Sequence, residues 1–140
     1  MLDNKKLEQT NIMVEFIIWG ELFEPSDITQ KLNLQPSKSW KRDEEIKGKS
    51  VRRKESHWSI NTGYQESLDI NVQLDDIINK IESKREILIK LQKELLVEYK
   101  FEIVIRIENN QSPAICLERN KIAFANSIQA EFDFDLYIYS

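Results

Sequence analysis

At 140 residues the chain has room for one domain with one sizeable core. It is 41% apolar and 31% charged, an ordinary soluble balance, and no apolar run is long enough to span a bilayer. A net charge of −4 argues against a general nucleic-acid binder, and a single cysteine, Cys116, excludes an internal disulfide.

The opening MLDNKKLEQT has neither the apolar stretch nor the cleavage site of a secretory signal. Residues 1–10 read as a tail and 11–140 as a single α+β domain, and the expected compartment is the cytoplasm, with no membrane contact. Residues 12–19, IMVEFIIW, predict a central strand: Ile12, Val14, Phe16 and Ile18 share one face, while Met13, Ile17 and Trp19 are apolar on the other. Gly20 ends it. In EPSDITQKLNLQPS, Ser26 is the expected N-cap of a short helix that turns Ile28 and Leu32 to the core and stops before Pro36.

Two strands follow, around Trp40 and through HWSIN, with both tryptophans as anchors. The segment between them lacks a clear period, and Gly48 marks a hairpin tip. From Lys38 to Lys54 eight cations face three acids, leaving the rest of the chain net acidic. Residues 70–97 predict a long helix, on the order of 40 Å, with Leu74, Ile77, Ile81, Leu88, Leu91 and Leu95 in one stripe broken only by Lys84. Ile78, Ile87 and Leu96 widen that stripe. YKFEIVIRIE alternates strictly, with Tyr99, Phe101, Ile103, Ile105 and Ile107 opposite Lys100, Glu102, Arg106 and Glu108. A short strand at AICLE, a short helix carrying Ile122, Phe124 or Ala125, and Ile128, and a closing strand EFDFDLYIYS complete the chain. The expected fold is α+β: a mostly antiparallel sheet with one long and two short helices, a ferredoxin-like βαββαβ start and a βαβ extension.

Reactive groups are few. His57, the only histidine, reads as a solvent-facing strand residue, and Cys116 as a buried, inert thiol. One Cys and one His cannot make a structural zinc site, and no glycine-rich phosphate loop is present, so no catalytic residue, metal or cofactor is assigned. Glu131, Asp133 and Asp135 alternate with Phe132, Phe134, Leu136 and Ile138; the aromatics are expected in the core and the acids on the other face, with Tyr137 and Tyr139 continuing it. Three readings compete: an ordinary charged edge, a cation site poorly served by ligands in one line, and a docking strip for a basic protein. The loop cations Lys47, Lys49, Arg52, Arg53 and Lys54 read as a solvated loop, then as a partner contact, and last as a nucleic-acid contact.

The order of FEPSDITQKLNLQPS, IKGKS, HWSINT, NKIESKREILIKLQKE and AEFDFDLYIY resembles a bacterial family of uncharacterised proteins, domain of unknown function 4279. The resemblance covers nearly the whole chain and implies a small cytosolic α+β domain with no catalytic residues to transfer. By association with a class of small proteins, it implies an immunity-type role. The leading expectation is therefore a non-enzymatic protein-binding module that neutralises a toxin through the acidic strip. A ligand-binding domain or small enzyme, with His57 and Arg106 in a pocket between the long helix and the sheet, is the alternative. A nucleic-acid role for the 47–54 loop is a third. A homodimer is compatible with all of them.

Overall fold

The computed structural model describes residues 8–139. Of the tail assigned to 1–10, residues 1–7 lie outside the described residues. Glu8 to Thr10 dock on the turn after a later strand. The Thr10 hydroxyl donates to the carbonyl of Gln111 at 2.6 Å and accepts from the Glu108 amide at 3.0 Å.

The elements are β1 (Asn11–Gly20), α1 (Pro25–Leu32), β2 (Lys38–Trp40), β3 (Ser56–Asn61), β4 (Gln65–Glu66), α2 (Ile70–Ile81), a 3₁₀ turn (Glu82–Lys84), α3 (Arg85–Leu95), β5 (Glu98–Ile107), α4 (Arg119–Ser127) and β6 (Glu131–Ile138). The sheet runs β2-β3-β1-β5-β6, with β4 pairing the start of β1. All neighbours are antiparallel except β5 and β6. Strands β1, β2, β3 and β5 have the ferredoxin-like order β2-β3-β1-β5, and β5-α4-β6 adds a parallel edge strand.

The long apolar runs of β1 and β5 place these strands at the centre, where both faces exclude water. Ile12, Val14, Phe16 and Ile18 of β1 join Trp58 of β3, alternate residues of β5, and the buried residues of all four α-helices in one cluster. The helices therefore cover the even-numbered face of β1. The odd-numbered face carries Glu15, Ile17 and Trp19, and no helix contributes to it a buried apolar residue among those described. Among the described residues, no helix is long and apolar enough to cross a membrane.

Several local expectations need correction. The N-cap of α1 is Glu24, not Ser26, because Pro25 supplies the preset φ of the first helical position. The long helix is present as expected, over 70–95, with a 3₁₀ turn at Glu82–Lys84 where Lys84 breaks the apolar stripe. It ends at Leu95. Leu96 caps it in the left-handed region and is 81% exposed instead of widening the apolar face. AICLE forms no strand: Ala114 makes only a bridge to Asp69. In α4, Lys121 is buried and Ile122 exposed, because the Lys121 ammonium is held by Asp75 and Glu118, each at 2.6 Å. Burial disfavours that charge, but the two carboxylates outweigh it and raise the Lys121 pKa.

Candidate functional site

Strand β6 forms because EFDFDLYI alternates, and it lies at one edge of the sheet because, among the described residues, only β5 pairs with it. Phe132 stacks on Phe101, with centroids 5.4 Å apart. The rest of its apolar row is not in the core, contrary to the sequence expectation. Phe134 is 37% exposed, Leu136 49% and Ile138 73%. The helix layer thins out there, since Lys121, Ala125 and Ile128 are the only fully buried residues between 119 and 130.

The opposite face presents Glu131 and Asp133 to solvent and Asp135 half-buried. The Tyr137 hydroxyl donates to Asp135 Oδ2 at 2.9 Å; this bond and the Asp135 charge hold the phenol pKa above its usual value. Tyr139, exposed, follows the strand and keeps its amide bonded to the Ile107 carbonyl at 2.9 Å. All five residues of the predicted strip thus share one edge.

Register extends the strip inward. Asp133 stands beside Glu102, and Glu102 beside Glu15, so three carboxylates cross β6, β5 and β1 in a row. Burial pushes the Glu102 carboxyl up; Glu15, Asp133 and Asp135 push the same way, and Lys100 opposes them. Lys100 Nζ lies 3.9 Å from Asp133, and Lys38 Nζ 4.0 Å from Glu15. Glu15 and Glu102 were not among the sequence-derived candidates. The available signals were a lone acid inside the apolar strand IMVEFIIW and the polar face of YKFEIVIRIE.

The basic segment lies at the other edge, four strand spacings from β6, roughly 19 Å. It is a hairpin: the Asp43 amide donates to the Arg53 carbonyl and the Arg53 amide to the Glu44 carbonyl, Glu45 bridges to Arg52, and the Ile46 amide bonds the Val51 carbonyl. Arg52 pairs with Glu45 at 3.2 Å and donates to the Asp43 carbonyl at 2.8 Å. Arg53 lies over the Trp40 ring at 3.8 Å, and Trp40 stacks on His57 at 4.0 Å. Trp40 is therefore already stacked on both Arg53 and His57, and Lys47, Lys49 and Lys54 are exposed cations of the loop.

His57 is not a solvent-facing residue, because the other arm of this hairpin folds Trp40 over it. It is 8% exposed, and its Nε2 sits 2.9 Å from Ser59 Oγ. The Ser59 hydroxyl donates its one proton to Glu15 Oε2 at 2.7 Å, so His57 must donate from Nε2. Burial, aided by Lys38, Arg53 and Lys100 and opposed by Glu15, lowers the imidazole pKa to about 4. Ser59 is fully buried and engaged on both sides. Arg106 is at the far end of β1, paired with Asn11 and lying over Tyr64 at 3.5 Å, whereas His57 pairs with Trp19. The two face away from the helices and do not converge. Cys116 is exposed rather than buried, since 115–118 is a loop held by the Asn71 amide, which donates to the Cys116 carbonyl at 2.6 Å. Among the described residues, no three His, Cys, Asp or Glu side chains are placed to share a metal ion.

Neither a curated protein nor a solved structure matches the chain. The family model described as domain of unknown function, DUF4279, matches residues 8–139, and with nearly its whole length covered the chain belongs to that family.

Proposed function

We propose that this chain is a non-enzymatic protein-binding module of the immunity type, acting in the cytoplasm, which occludes a basic surface of a toxin-class partner with the β6 edge. The observation that supports this reading is the placement of Glu131 and Asp133, exposed, and Asp135, half-buried, on one face of an edge strand, with Tyr137 and Tyr139 beyond them. Like charges side by side on neighbouring strands are unfavourable, and Glu102 behind Asp133 makes this row more so. A partner's ammonium or guanidinium group would relieve that repulsion and draw the partner in from solution. The tyrosines supply broad, amphipathic contact area at the rim.

The test is to co-express the chain with the product of each gene flanking its own. Any complex is then followed by stopped flow at about 50 and about 500 mM salt, where screening lengths differ severalfold. Association should slow by about tenfold or more at high salt, and again with Asp133→Lys and Asp135→Lys combined. A complex whose association ignores both changes would overturn the reading.

A further inference from the structure

We infer that β6 takes its partner by strand addition: an extended segment alternating apolar and basic residues pairs with the free edge, its cations above Glu131, Asp133 and Asp135 and its apolar side chains beside Phe134, Leu136 and Ile138. This rests on the docking reading above and adds the mode of binding and the chemistry of the partner.

The backbone geometry carries the first part. In a parallel pair, the amide and carbonyl of successive residues point alternately to the two sides of the strand. The Tyr139 amide reaches the Ile107 carbonyl, so the odd-numbered groups face β5. Those of Phe132, Phe134, Leu136 and Ile138 face outward, and among the described residues no strand lies beyond them. Natural edges are blunted by charged side chains, most often lysine, by proline or by a bulge; the charges on β6 are all acids, which leave the edge open to a basic strand. Strand β6 has no lysine and no proline, and its register against β5 is unbroken over eight residues.

Side chains carry the second part. The helix-side row becomes steadily more exposed along the strand, and Ile122 of α4 is exposed as well. The other row bears three acids and no base. A strand that satisfies both rows must itself have period two, apolar on one face and cationic on the other. A second copy of this chain does not meet that need. Antiparallel self-pairing centred on the strand sets Asp135 opposite itself, or Asp133 opposite Asp135, and directly opposed like charges destabilise a sheet.

The probe is a capped seven-residue peptide alternating valine and lysine, compared with a block isomer of the same composition. Two further peptides are N-methylated on the valines only or on the lysines only. Antiparallel addition directs the valine amides at β6, and parallel addition the lysine amides. One methylated peptide should therefore bind about tenfold or more weakly while the other binds like the parent, because several hydrogen bonds are lost together. The block isomer should also be weaker. Hydrogen exchange should show the Phe134, Leu136 and Ile138 amides fast in the free protein and slow with the parent peptide, against odd-numbered neighbours slow in both.

If all four peptides bind alike, and binding is lost in the Asp133→Lys, Asp135→Lys protein, strand addition is wrong while the acidic docking reading stands. If none binds at millimolar concentration and low salt, or binding survives that double substitution, both are wrong. Even-numbered amides protected without peptide, in a chain that self-associates, would make the occupant a second copy and overturn the assignment of a basic partner.

Discussion

Acidification should remove stability from this protein through one side chain. In the unfolded chain His57 titrates near 6.5. In the folded protein its pKa lies at about 4, chiefly because the imidazole is buried under Trp40, with Lys38, Arg53 and Lys100 adding to the effect against Glu15. Between those two values the unfolded state binds more protons than the folded one, so stability rises with pH across this window. The contribution is complete above about pH 6.5 and is lost as pH falls toward about 4. At 1.36 kcal/mol per pKa unit, the loss is about 3 kcal/mol, a large part of the stability of a domain this size.

His57 is the only histidine, so its imidazole Cε1–H resonance can be followed without assignment ambiguity. The expected NMR midpoint is near 4. Urea unfolding should show the wild-type protein losing about 3 kcal/mol more than His57→Gln between about pH 7 and pH 4, since glutamine can still donate to Ser59 but does not titrate. A midpoint of about 6 or above, or parallel stability profiles for the two proteins, would refute the buried neutral imidazole.

Leu88 is fully buried on α3, and Leu88→Asp should cost more than about 5 kcal/mol from lost apolar burial plus a desolvated carboxylate; a soluble variant with a cooperative melt would overturn the packing of α3. Asp75→Asn combined with Glu118→Gln strands the buried Lys121 ammonium and should cost about 3 kcal/mol. Lys121→Met lets those half-exposed carboxylates rehydrate and should cost about 1 kcal/mol, so the reverse order in paired urea melts would contradict the ion-pair geometry. The Cys116 thiol should react with a disulfide reagent nearly as fast in the native protein as in urea, and strong native protection would contradict its exposed loop position.

Periodic segments were the legible ones. The central placement of β1 followed from apolar residues on both of its faces, and the alternation of β5 and β6 identified both strands. What stayed hidden depends on contacts distant in sequence. His57 lies on the face without helices, as alternation implies, but its cover comes from Trp40, seventeen positions earlier, which no local pattern reveals. Glu15 and Glu102 join the acidic strip only through strand order and register. The apolar residues of AICLE mimic a strand, yet Ala114 bridges only to Asp69 and the Asn71 side chain holds the rest of the segment as a loop. β4 pairs only two residues with β1, too few for any period to show. Exposure of Phe134, Leu136 and Ile138 was hidden for the same reason: alternation says which side chains share a face, and only topology says which strand is last.

Sheet order also decides which of the two charged regions is the stronger docking surface. The basic hairpin and the acidic strand occupy opposite edges, so the molecule is electrically polarised across its sheet. The hairpin's cations are largely engaged within the fold: Lys41 pairs with Glu24, Arg42 with Glu21, Arg52 with Glu45, and Arg53 lies on Trp40. The lysines left at its tip lie beside a backbone whose two arms already bond each other. On β6 the balance is reversed. Among the described residues its acids have one lysine within 4 Å, Lys100 at 3.9 Å from Asp133, and they stand over a row of outward amides and carbonyls that no other described strand reaches. Free charge, free hydrogen-bonding groups and uncovered apolar side chains coincide on one strand, and a partner that matches all three gains from each at the same place.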